Sequence, residues 1–312
     1  NKLWNAARFA FLNLDGTRFA PLTAATLPLE DRWILSRLAA ARTAVHEALL
    51  RYQPAQALAA ARDFFWNELC DWYLELKKPC FKPGADPTAA ATGKQVLALV
   101  LDQTLRLLHP FVPFVTETLW ARLQELAPQR GLEAPLPSSD LLVLAAWPAA
   151  RPDWIAADVE QQLTAMQGLC VAIREARARY QVPPRDRLVA RIQASGATAE
   201  VCEATKSLLA AMAGLGEVSV GPDLQRTPDA ATVVSGAVKC FLLGVVDLAQ
   251  ERQKLQKERD RLQGQIRGIE QKLGNPGFVA KAPPAVVQKE QAALAALQQQ
   301  LAAVEQSLGE LG

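Results

Sequence analysis

The chain has 312 residues, 50% of them hydrophobic, and its 34 lysines and arginines nearly balance 32 aspartates and glutamates, for a net charge of +2. That length predicts two or three domains, and the near-balance leaves charge to be read segment by segment. No apolar stretch is long enough to span a bilayer, no secretory or transit signal opens the chain, and Cys70, Cys80, Cys170, Cys202 and Cys240 form no Cys-x-x-Cys pair, so a cytoplasmic, monomeric protein with reduced thiols is expected.

Alanine, leucine and glutamine dominate and lean helical. Residues 1–150 read as helix after helix: a first to Leu14, a second from Asp31 to Leu50, a third from Pro54 to Lys78, a fourth from Gly93 to His109 and a fifth from Pro113 to Leu126. Their apolar faces are wide enough for an antiparallel bundle. In the first helix Leu3, Ala7, Ala10, Phe11 and Leu14 fall on one side, while Lys2, Asn5, Arg8, Phe9 and Leu12 fall on the other. An aromatic among amide and cationic groups is how unstacked RNA bases are received, although Phe9 packed on a neighbouring helix is an equal alternative. Phe65, Trp66, Trp72 and Tyr73 crowd the third helix so densely that most must be core. Lys77, Lys78 and Lys82 follow its acidic end, to meet phosphates or to favour the helix C-terminus. His109, before Pro110 in an apolar run, reads as a helix-end core residue.

Proline-rich ground from Pro128 to Pro152 marks a linker. Residues 151–247 mix a helix ending near Tyr180 with alternating stretches at Leu188–Ile192, Glu217–Val220 and Thr232–Leu243, the last broken by Ser235-Gly236, so a small α/β module is expected. Around Tyr180, Arg174, Arg177, Arg179, Arg185, Arg187 and Arg191 outnumber Glu175 and Asp186, a patch suited to RNA phosphates or simply a solvated surface.

Residues 248–312 carry the clearest pattern. Leu248, Leu255, Leu262 and Ile269 recur every seven residues, with Val245, Ile266 and Leu273 beside them; Val287, Leu294, Leu301 and Leu308 do the same, with Leu297, Val304 and Leu311. Two such seams across a break at Gly274, Pro276, Pro283 and Pro284 predict an antiparallel two-helix coiled-coil hairpin. Its limbs differ in charge: seven cations against four anions from Leu248 to Gly274, about +3, and about −2 from Val287 to Gly312. Arg252 and Arg259, at seam positions, are expected near Glu305 and Glu310. The fold expected is mainly α: helical bundle, small α/β module, hairpin.

The tip, with Phe278 three residues before Lys281-Ala-Pro and Val286-Val287 opening the second limb, resembles the C-terminal arm of valyl-tRNA synthetases. The resemblance runs on through Asn1-Lys2-Leu3-Trp4-Asn5-Ala6-Ala7-Arg8-Phe9, Asp31-Arg32-Trp33-Ile34-Leu35-Ser36-Arg37-Leu38, the run Phe64 to Glu75 and Leu107-Leu108-His109-Pro110-Phe111, in that family's order. The last two also resemble isoleucyl- and leucyl-type enzymes, and a coiled-coil protein-interaction module remains a third reading. What the resemblance implies is a partner, tRNA for valine. Lys2, Asn5, Arg8, Phe9, Lys77 and Lys78 would meet the anticodon loop and Arg174, Arg177 and Arg179 the tRNA backbone. Lys254, Lys257, Arg261, Arg267, Lys272, Phe278 and Lys281 would meet the outer corner of the tRNA. No His-x-Gly-His or Lys-Met-Ser-Lys-Ser signature and no metal-ligand spacing occurs. Opening on asparagine, the chain is expected to be the C-terminal part of a larger enzyme whose upstream catalytic domain uses ATP with Mg, with no catalytic residue, cofactor or metal in this segment.

Overall fold

The computed structural model describes residues 1–137, 139–246, 248–274 and 284–310. Two compact units divide the chain: Asn1–Cys170 with Ala204–Ala213, and Val171–Glu203 with Gly214–Gly312. In the first, α1 (Lys2–Leu14) and α2 (Leu29–Leu50) are followed by a helical run made of α3 (Pro54–Asp63), a π-helical segment (Phe64–Tyr73) and α4 (Leu74–Lys77). Then come α5 (Pro87–Leu108) and α6 (Pro113–Leu126). α5 starts six residues before the expected Gly93, because Asp86 accepts the Ala89 amide at 2.8 Å and Pro87 suits the first helical position.

α1, α2, α3 and α6 all pack on α5, and every α5 residue from Gln95 to Leu108 is buried. A helix buried all round must satisfy its polar side chains internally. Asp102 pairs with Arg106 at 2.7 Å and Arg130 at 2.8 Å, and both guanidiniums lie over the Trp120 ring at 4.8 and 4.6 Å. Arg106 also donates to the carbonyls of Pro137 and Ala146, and Gln95 to those of Ala20 and Gly131. The stretch expected as a linker is therefore bound down along its length, with Trp120 donating to the Ser139 carbonyl and Glu117 accepting the Leu142 amide.

In the second unit, four strands lie in the order β2-β1-β4-β3: β1 (Leu188–Gln193), β2 (Leu215–Gly221), β3 (Ala231–Ser235) and β4 (Val238–Leu242). β1 and β2 are parallel and the other pairs antiparallel, with Gly236 at φ 57° in the β3–β4 turn. The helix before β1 is α7 (Ala157–Arg179); α8 (Gly196–Ala213) is the crossover that a parallel pair requires. α8 is not among the elements expected from sequence.

α9 (Leu248–Leu273) and α10 (Pro284–Glu310) pack on each other. Leu262 and Ile266 are buried, and Leu255, Ile269, Leu273, Leu294, Leu297, Leu301, Val304 and Leu308 are half-buried, so the heptad positions are the covered ones. A Lys272–Glu290 pair at 3.6 Å near the break is the contact an antiparallel hairpin makes. Arg259 donates to Asp260 rather than to the expected Glu305. The side chains of Leu248 and Glu310 and the residues Phe278 and Lys281 fall outside what is described.

Gly264 and Gly268 lie in mid-helix, exposed, with nothing within 4 Å of a would-be Cβ. Changing either to alanine should raise the stability of the arm by about 0.5–1 kcal/mol, whereas Leu262→Ala, at a 1% exposed seam position, should lower it by about 2–5 kcal/mol. Thermal unfolding followed by far-ultraviolet circular dichroism checks both signs.

Candidate nucleic-acid interface

α1 buries Ala7, Ala10 and Leu14. Its opposite side leaves Asn5 and Arg8 exposed and Lys2 and Phe9 half-buried. Lys2, Asn5 and Phe9 follow one another at spacings of three and four and so form one stripe. The stripe is anchored at both ends. The Lys2 amine donates to Asp71 at 2.8 Å and to the Trp66 carbonyl at 3.4 Å, and lies 4.0 Å from the centre of the Trp66 ring. Trp66 and Asp71 are five apart, which in a π-helical segment is one turn, so both reach the same amine. At the other end the Phe9 ring meets Phe81, with centroids 6.3 Å apart and planes tilted by 55°. Between the anchors, Asn5 and Arg8 offer an amide and a guanidinium to solvent.

Of the crowded aromatics, Phe64, Phe65 and Tyr73 are buried and Trp72 is half-buried, but Trp66 is 46% exposed. Phe81, at the end of a 3-10 turn (Lys78–Phe81), and Trp66 belong to this surface although sequence reasoning assigned neither to it. The signal for Phe81 was its place between Lys78 and Lys82.

Lys77 is not a surface cation. It is 1% exposed, and its amine lies 2.8 Å from Asp31 and 3.1 Å from Glu30. Tyr73 completes the cluster by donating to Asp31 at 2.7 Å. Burial pulls the Lys77 ammonium toward losing its proton, but the two carboxylates outweigh it and hold that proton above the ordinary lysine range. Burial, reinforced by the Asp31 carboxylate, pushes the Tyr73 phenol well above its usual value. Lys78 is exposed and pairs with Glu75 at 2.5 Å, a weak surface contact that a phosphate can displace.

In the second unit, Arg177 likewise departs from its expected role. It is 9% exposed and donates to the carbonyls of Gly214 at 3.2 Å and of Pro183 and Asp186 at 2.9 Å, fastening the loop after α7. Arg174, Arg179, Arg185 and Arg187 remain at the surface beside Tyr180. On α9, Lys257, Arg261, Arg267 and Lys272 are all exposed. At 100° per residue Lys257, Arg261 and Arg267 lie on the side away from Leu262 and Ile266, with Gly264 and Gly268 among them, whereas Lys272 stands at the flank of the seam, where it pairs with Glu290. Arg261 pairs with Glu258 at 2.5 Å along the same helix. Lys254 stands on α9 too, but its side chain is not described, and Phe278 and Lys281 lie outside the described residues.

His109 has Nδ1 2.8 Å from the Thr116 hydroxyl, and its Nε2 lies 3.9 Å from Glu117. Cys70 and Cys80 are half-buried and Cys170, Cys202 and Cys240 buried, all as free thiols. Burial pushes the Cys70 and Cys240 thiols up to about 12, and those of Cys80 and Cys202 upward. Among the described residues no group of three or more His, Cys, Asp or Glu could hold a metal ion, and no helix is long and apolar enough to cross a membrane.

Two surfaces stand out: an amide–guanidinium–aromatic stripe on α1 and a group of exposed cations on α9. The family described as the anticodon-binding domain of tRNA ligase matches residues 31–193, and the valyl tRNA synthetase tRNA binding arm matches residues 247–312. A valine–tRNA ligase of Rhodopirellula baltica is 38% identical over 99% of this chain and 30% of its own length. Those of Carboxydothermus hydrogenoformans and Thermosynechococcus vestitus are 37% and 39% identical over 100% of this chain and 34% of theirs. The chain thus spans about a third of the length of these relatives.

Removing the Lys77 amine while keeping its length, as in Lys77→Met, strands two buried carboxylates and should cost about 3–5 kcal/mol of stability. Because the Lys77 proton is held above its unfolded value of 10.5, the stability it contributes is present at neutral pH and fades as pH rises beyond that value. Denaturant unfolding at neutral and alkaline pH measures both effects; an unchanged midpoint at neutral pH would contradict the assignment.

Proposed function

The chain belongs to the family of anticodon-binding domains of tRNA ligases and ends in a segment of the valyl-tRNA synthetase arm family, and on that premise we propose that it is the tRNA-gripping part of a valine–tRNA ligase. Residues 1–150 take the anticodon loop, with Asn5 and Arg8 hydrogen-bonding to bases and Phe9 stacking on one. Lys2 holds the start of that stripe and Lys78 meets a phosphate. Residues 151–247 form a connecting module whose Arg174 and Arg179 run along the backbone. Residues 248–312 form an arm that reaches the outer corner of tRNA, where the D- and T-loops meet, through Lys254, Lys257, Arg261, Arg267 and Lys272, with Phe278 and Lys281 at its tip.

The observation that carries this reading is the sidedness of α9: Lys257, Arg261 and Arg267 are exposed on the side away from the apolar seam, while Arg252 and Lys272 flank it and Lys272 pairs with Glu290 across the hairpin. Each limb, with about 1.5 Å of rise per residue, extends about 40 Å, enough to collect binding energy far from the anticodon. Such remote energy orients the acceptor end in the catalytic part of the longer enzyme, which joins valine to tRNA using ATP with Mg. No residue of this chain is assigned to that chemistry. The relatives' names favour valine over the isoleucyl- and leucyl-type alternatives, and the enzyme is proposed as a cytoplasmic monomer.

Deleting residues 248–312 should weaken tRNA binding and flatten its salt dependence. Changing Lys257, Arg261, Arg267 and Lys272 together to alanine should reduce the slope of log K against log salt by about 0.7–0.9 for each phosphate no longer neutralised. Filter binding between about 50 and 200 mM salt reads both, and equal affinity and slope in the two variants would remove the arm from the account.

A further inference from the structure

We infer that Phe81 is a positioning residue for the α1 stripe, holding the ring of Phe9 where a base can stack on it, and that Phe81 is itself seated by the buried Glu30–Asp31–Lys77 cluster. The inference rests on the reading that Phe9 receives an anticodon base.

The contacts form one continuous path. Glu30 and Asp31 open α2 and hold the Lys77 amine at 3.1 and 2.8 Å, while Tyr73 fixes the other Asp31 oxygen. A buried charged pair of this kind has a single good geometry, so the Lys77 stem is not free to wander. That stem and the Phe81 ring both lie against Gly93 on α5. A Cβ there would come within 3.0 Å of Lys77 Cε and 3.4 Å of Phe81 Cε1. Gly93 is buried in the helix body, so its missing side chain leaves the room that Lys77 and Phe81 fill. Phe81 then meets Phe9 at 6.3 Å. A ring that must accept an unstacked base gains by being held in place beforehand, since ordering it at the moment of binding subtracts from affinity.

The bland account is that Phe81 closes the apolar interior and has nothing to do with RNA. The two accounts differ in what they couple. If Phe81 acts through Phe9, removing either ring costs the same interaction, and removing both costs no more than one. A purely structural Phe81 makes the losses independent.

The test uses the full chain and a stem–loop RNA carrying the valine anticodon loop, with binding measured for Phe9→Ala, Phe81→Ala, Phe81→Tyr, Gly93→Ala and the Phe9→Ala/Phe81→Ala pair, alongside thermal midpoints and salt slopes. Either single alanine should weaken binding about tenfold without changing the salt slope, the double variant should lie within about twofold of the weaker single, and Phe81→Tyr should restore binding. Gly93→Ala should weaken binding several-fold while stem–loop slopes stay put. A loss from Phe9→Ala with none from Phe81→Ala, or losses that multiply in the double variant, overturns the positioning role and leaves the anticodon reading standing. No loss from either overturns both. Should Phe81→Ala fail to fold, Phe81→Tyr and Gly93→Ala decide: binding by Gly93→Ala within about twofold of the parent overturns the seat beneath the ring.

Discussion

A carboxylate buried in α5 governs how the first unit closes. Asp102 has no access to water, and a charge so placed is tolerated only when neighbours of opposite sign and ample hydrogen bonds surround it. Arg106 comes from the same helix, one turn on; Arg130 has to come from beyond α6. Bringing Arg130 in fixes the chain after α6 against the bundle, and the two guanidiniums flatten against Trp120 of α6. The remaining donors of Arg106 then take carbonyls of the proline-rich stretch, and Arg130 takes that of Ala127 at the end of α6. One charge in a low-dielectric interior thereby organises a long stretch that has little regular structure of its own.

The same logic, applied nearer the surface, shapes the exposed side of α1. Lys2 is held by a carboxylate and an aromatic face, and Phe9 by another ring, so both ends of the stripe are constrained while its middle, Asn5 and Arg8, stays open. Rigid flanks around adaptable polar groups are what recognition by hydrogen bonding and stacking demands. The unusual winding of the π-helical segment has a local use here: it aligns Trp66 and Asp71 on one amine.

What could be read from sequence was whatever depends on near neighbours. The bounds of α1 and α6, the seams of α9 and α10, and the turn at Ser235-Gly236 follow from periodicity, proline and glycine within a few residues. The fates of individual charges did not. Lys77 and Arg177 looked like surface cations because the groups that bury them stand 46 and 37 positions away, at Asp31 and Gly214. The stretch after α6 looked like a tether for the same reason: its partners, Asp102 and Arg106, lie back in α5. α8 escaped because its short alanine-rich turns carry no strong stripe, and only the parallel pairing of β1 with β2 makes a crossover obligatory. Trp66 and Phe81 could not be told from core aromatics until the π-helical winding and the 3-10 turn placed them beside α1.

Burial also has a chemical outcome for sulfur. Alkylating and oxidising reagents attack the thiolate, and Cys70, Cys80, Cys202 and Cys240 all hold their protons more tightly than a free cysteine does. The native sulfurs are therefore a quiet background: a single cysteine introduced at an open position such as Gly264 would react ahead of them, and a dye or cross-linker could be carried on α9 without first stripping the chain of its own thiols.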